Sequence, residues 1–199
     1  MLLMLPISLL FSVFGTPIIK VLFEGGSFDA TASLLTGGVF AMYALGMNGF
    51  FILYFLVKAY FAMGKTRTPL IVTVGILVGC LLLNGLGTLL FPQHVVLLAA
   101  GTSTALLIGG GVMYVYFCRK QNAPLPVWVL IRGILLSVLM ALAVHVVYSR
   151  FVSLDSGKFE LVMQCALLGV AGMLAYLLLM GRKLPTAEIL RKFLGRTKS

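Results

Sequence analysis

Acidic side chains are almost absent. Five Asp and Glu stand against fifteen Lys and Arg in 199 residues, and all charged residues together make up 10% of the chain. A soluble domain carries about 25%, so this sequence cannot clothe a compact body in a hydrated charged shell. Ala30 to Val57 contains no Asp, Glu, Lys or Arg, and neither does Thr68 to Cys118. The scarcity also removes most enzyme classes. Two histidines, His94 and His145, lie far apart, and no HExxH pattern occurs. No nucleophile–base–acid set can be assembled from so few groups. The three cysteines, Cys80, Cys118 and Cys165, show no CxxC spacing and read as small apolar core residues. The sequence therefore implies no metal, no cofactor and no catalytic residue.

What fills the chain instead is hydrocarbon: 61% of its residues are hydrophobic. A membrane span needs roughly 20 apolar residues. Six such runs can be drawn, at 3–23, 31–60, 68–91, 95–118, 127–149 and 160–181. The fold class is all-α, an integral membrane helical bundle of about six transmembrane helices. Short connections predict that sequential helices are antiparallel neighbours.

The net charge of +10 does not mark a nucleic-acid partner, because the cations are not gathered into one stripe. Lys58, Lys65 and Arg67 lie between the second and third runs. Arg119, Lys120 and Arg132 surround the fourth connection, and six more cations follow the last run. The alternate connections hold only Lys20, Arg150 and Lys158, beside most of the acids. Cations mark cytoplasmic ends, so the pattern places both termini in the cytoplasm. Residues 183–199 carry Ile189, Leu190, Phe193 and Leu194 on one helical face with cations around the rest. This is a basic amphipathic tail suited to anionic phospholipid.

Within the spans the polar residues are few. Asn48 and Asn84 must each find a partner, either across a helix interface or along a wet cavity. Thr102, Ser103 and Thr104 can bond back to their own helix. Gly75 and Gly79 form a GxxxG, and Gly46, Gly49, Gly109 to Gly111, Gly169 and Gly172 add further small faces for close helix approach. Pro17 should kink the first span near its outer end. The opening Met1-Leu2-Leu3-Met4-Leu5-Pro6 enters apolar sequence without a basic leader, which reads as a truncated or split frame.

Two segments carry a resemblance. Pro17-Ile18-Ile19-Lys20-Val21-Leu22-Phe23-Glu24-Gly25-Gly26-Ser27-Phe28 is similar to the P-x-x-x-x-L-F-x-x-G-x-F stretch of the MviN/MurJ lipid II flippases. Tyr43-Ala44-Leu45-Gly46-Met47 resembles that family's Y-x-x-G-L. Lys58-Ala59-Tyr60-Phe61-Ala62-Met63-Gly64-Lys65-Thr66-Arg67-Thr68-Pro69 resembles its R-A-F-Y-A-x-x-D-T-K-T-P cytoplasmic loop. Lys58 stands for the usual arginine, Tyr60-Phe61 reverses the aromatic pair, and Lys65 replaces a common aspartate.

The resemblance implies a fragment of a fourteen-helix, two-lobed transporter. Residues 1–120 would be four helices of the second lobe and 121–182 an additional pair bordering a lipid-facing groove. The implied substrate is an undecaprenyl-pyrophosphate-linked saccharide lipid, moved across the bacterial inner membrane by alternating access. The implied partners are that lipid, membrane phospholipids and the missing N-terminal half. Asn48 and Lys58 are the candidate substrate-binding residues, with an interhelical bond and a headgroup anchor as their structural alternatives. Another polysaccharide-lipid flippase or drug exporter of the same superfamily, or a non-transporting scaffold, is compatible with the same helices.

Overall fold

The computed structural model describes residues 3–91, 93–121, 127–151 and 158–181. The amphipathic tail expected at 183–199 lies outside them. Among the described residues seven helices follow in order: α1 (Met4–Val13), α2 (Gly15–Phe23), α3 (Ala30–Ala62), α4 (Arg67–Leu90), α5 (Val95–Lys120), α6 (Val127–Phe151) and α7 (Lys158–Gly181). Five are long and apolar enough to cross a membrane, and α1 with α2 makes a sixth span bent by 62°.

The bend falls at Phe14, a turn earlier than the proline that causes it. Pro17 has no N–H for the Val13 carbonyl, and its ring presses on that same group four residues back. A kink expected near the outer end is therefore an elbow in mid-span. Gly15 and Gly37 let the elbow close onto α3. A Cβ on Gly15 would stand 2.7 Å from the Gly37 carbonyl oxygen, and one on Gly37 would strike Thr16.

α3 has 33 residues and is the axis of the bundle. Asp29 caps its start, accepting a hydrogen bond from the Ala32 N–H at 2.8 Å. Gly64 ends it with φ +67°. Lys65 N–H reaches the Tyr60 carbonyl at 2.9 Å and Gly64 N–H the Phe61 carbonyl at 2.9 Å, the paired bonds of a Schellman stop. Alanine at Gly64 is expected to cost about 1 kcal/mol through its left-handed conformation, measurable as a lower midpoint in denaturant-driven unfolding.

Most consecutive spans pack together, as the short connections predict: α1 and α2 on α3, α4 on α5, and α6 on α7. α3 itself packs chiefly on α5, and α6 returns to α1. α3 and α4 touch little. The small faces explain this. Gly46 meets Ser103 and Gly49 meets Leu106 on α5, while Gly110 closes on the Gly49 carbonyl. Ile76 of α4 seats on Gly109 of α5. Gly75 has nothing within 4 Å, so the α4 GxxxG is not the close interface.

Two cores result. Leu53, Leu56, Tyr60 and Met113 unite α3 with α5. Leu10, Phe14, Met140, Val144, Tyr176 and Met180 unite α1 with α6 and α7.

Candidate functional site

The cation-bearing ends share one face of the bundle. Gln121 Nε2 lies 3.1 Å from Met63 Sδ, tying the α5 end to the α3–α4 turn. The Tyr60 and Phe117 rings meet edge to face at 5.5 Å. Arg132 donates to the Leu179 carbonyl at 3.0 Å, placing a cation on the unpaired end of α7. At the opposite face Lys158 donates to the Glu24 carbonyl, and Lys20 pairs with the Glu24 carboxylate at 3.6 Å. The charge alternation read along the chain is thus an alternation in space. The turn after α2 needs its glycines: Gly25 and Phe28 exchange backbone bonds of 3.1 Å around Gly26 at φ +61°.

Asn48 is half-buried on α3. Its Nδ2 donates to Ser8 Oγ at 2.5 Å and to the Leu45 carbonyl at 3.3 Å, and Ser8 Oγ donates onward to the Leu5 carbonyl at 3.0 Å. The amide pins α1 to α3, the interhelical role. It also borders an apolar cavity of about 290 Å³ among α1, α3, α5 and α6, with Leu5, Phe51, Tyr114 and Leu130.

Lys58 is exposed, with Nζ 4.3 Å above the Tyr54 ring centroid. Ten residues of helix put it about 15 Å along the axis from Asn48, and on a different face. The fold does not bring the two candidates together.

Asn84 links α4 to α5 through Thr102 Oγ1 at 3.0 Å, and its Oδ1 is buried without a hydrogen-bond partner. Thr102 and Thr104 bond back to Leu98 and Ala100 at 3.0 and 2.7 Å. Ser103 does not. It crosses to the Met42 carbonyl at 2.7 Å and is 4% exposed. The reading of self-satisfied hydroxyls missed this bond, and the facing Gly46 was the available signal for it. Cys118 is buried, while Cys80 and Cys165 are half-buried. Cys165 lines an apolar groove of about 320 Å³ between α2 and α7, with Phe14, Pro17, Val21 and Leu161. Among the described residues no cluster of His, Cys, Asp or Glu could hold a metal ion.

Among the described residues, an all-helical bundle with a broken span, charge confined to its two faces and an apolar groove in its side defines a polytopic membrane protein. Residues 1–168 match the family model for lipid II flippase MurJ. This chain belongs to that family, and is a multi-pass inner-membrane protein. A probable lipid II flippase MurJ of Rhizobium meliloti (strain 1021) is 34% identical over 111 residues, covering 54% of this chain and 19% of the relative. Another from Rhizobium tropici is 29% identical over 106 residues, covering 53% and 19%. A solved lipid II flippase MurJ in an inward closed conformation superposes with a TM-score of 0.71 at 22% identity. It covers 97% of this chain and 37% of its own. The matched stretch is thus about a fifth of the length of the curated relatives.

Proposed function

We propose that this chain acts as part of a lipid II flippase, carrying an undecaprenyl-pyrophosphate-linked saccharide across the inner membrane. The family match over residues 1–168 carries this reading. The headgroup cannot pass hydrocarbon unaided, because an unpaired charge there is costly. A second lobe must share the cavity, so that rocking of the two exposes it to each side in turn.

In this reading the six spans correspond to the last six of the fourteen-helix relatives. Residues 1–120 are lobe helices, 121–182 an added pair, and 183–199 a headgroup-binding tail. The scant contact of α6 and α7 with α3, α4 and α5 supports the division, and the groove between α2 and α7 offers an apolar bed for the undecaprenyl tail. Lys58 would meet substrate phosphate. Asn48 would hold the cavity wall by fixing α1 on α3.

The cation-rich face is cytoplasmic. A reporter joined at Ser199 is expected to read cytoplasmic and one inserted beside Gln93 external, and the reverse pattern would sink the orientation. The function is tested in cells depleted of their own lipid II flippase. Residues 1–199 alone are expected to give no growth, and co-expression with the remaining helices of a relative to restore it. Growth with the chain alone would mean that six spans suffice. Loss of rescue for every assembly, with the protein abundant in the membrane, would overturn the flippase reading.

A further inference from the structure

α3 divides into three faces. At about 100° per residue, Gly37, Ala41 and Asn48 fall together and meet α1 and α2. Met42, Gly46, Gly49, Leu53 and Tyr60 fall on a second face and meet α5. The third face carries Tyr43, Met47, Phe50, Tyr54, Lys58 and Phe61 in one stripe. It is open: Tyr43 is 47% exposed, Phe50 55% and Tyr54 48%.

Its chemistry is not that of a lipid-facing surface in this protein. The exposed residues of α4, α6 and α7 are overwhelmingly aliphatic, as at Leu77, Leu81, Leu139, Leu142, Leu174 and Leu178. Their exposed aromatics sit near the helix ends, Trp128 on α6 and Phe159 on α7, where interfacial belts form. On α3 the aromatics run through mid-span. Tyr43 is about 20 Å from the start of α3, and a phenol O–H turned to hydrocarbon there would go unsatisfied. The Phe50 and Tyr54 rings stack at 6.4 Å, and Lys58 sits over Tyr54. Lys58 is the only charged residue on the helix.

We propose that this open face of α3 is the track along which the saccharide–pyrophosphate head of the substrate lies. The rings of Tyr43, Phe50 and Tyr54 pack on the C–H faces of the sugars, and the Tyr43 hydroxyl bonds a sugar O–H group. Lys58 neutralises a phosphate at the cation-rich end, where charge complementarity favours an anion. This rests on the substrate reading above and assigns its contacts to specific side chains.

The test uses the assembly that restores growth, reconstituted in proteoliposomes. Tyr43→Cys and Tyr54→Cys are probed with a membrane-impermeant maleimide, above the background of the three native cysteines. Leu77→Cys and Leu139→Cys serve as aliphatic-face controls. The α3 positions are expected to react at least fivefold faster than the controls. Undecaprenyl-pyrophosphoryl disaccharide-pentapeptide should slow them at least threefold, and undecaprenyl phosphate should not. Unreactive α3 positions would mean that another helix, a second copy or lipid covers the face, and would overturn the proposal. Equal protection by both lipids, or none, would overturn it too. Tyr54→Ala should weaken binding of the disaccharide lipid about tenfold and Tyr54→Phe no more than twofold, a split that a role in folding alone would not produce. Binding by the unsubstituted assembly separates the two levels. If it binds and the face is unprotected, only the track falls. If it does not bind, the substrate reading falls with it.

Discussion

Alanine at Gly49 is expected to cost about 2–3 kcal/mol, through overpacking of the α3–α5 contact. The new methyl group would drive into the backbone at Leu106, and backbone of a packed helix cannot swing aside as a side-chain tip can. The same exchange at Gly75 should be neutral or slightly stabilising, because nothing lies within 4 Å of that position and alanine is the better helix former. Thermal unfolding in detergent micelles compares the two directly. Equal shifts for Gly49→Ala and Gly75→Ala would show that α3 and α5 do not meet as described.

Truncation of Phe14 should be as damaging in a different region. Phe14 is 6% exposed at the elbow, edge to face with Tyr148 at 6.0 Å, inside the core that joins α1 to α6 and α7. Phe14→Ala is expected to cost about 3 kcal/mol, at the low end of buried Phe truncations. The loss should be local. Backbone hydrogen exchange should quicken in α6 and α7, while α3 and α5 keep their protection through their own core of Leu53, Leu56, Tyr60 and Met113. Uniform acceleration across the bundle would mean that the two cores unfold as one.

The spans were legible because their signals are local and strong. Hydrocarbon length and the placement of fifteen cations need no knowledge of packing, and the contacts of Gln121 with Met63 and of Lys158 with Glu24 agree with the alternation they imply. Packing was less legible, since a small residue announces a close approach without naming the partner. Gly75 and Gly79 spell the more obvious motif, yet Gly46 and Gly49 make the contact, because α5 offers Ser103 and Gly110 opposite them. The elbow was misplaced by reading Pro17 at its own position rather than at the carbonyl it disables. Of the two candidate binding residues, Asn48 has a partner that pattern could not have supplied. Ser8 lies 40 positions away and meets it only because the bent first span lies against α3. Lys58 is exposed on another face of α3, over the Tyr54 ring.

The length of α3 has a further consequence. Its 33 residues extend about 50 Å, against a hydrocarbon layer of about 30 Å. Such a mismatch is relieved by tilt, by emergence of one end or by local thickening of the bilayer, each at a small cost per ångström. The shorter helices α4, α6 and α7 carry no comparable excess. Thinning the membrane therefore acts on one helix more than on its neighbours, and tilts the axis to which α1, α2 and α5 are fastened. Acyl-chain length becomes a control on the geometry of the whole bundle, and the lipids around this protein are part of what sets its shape.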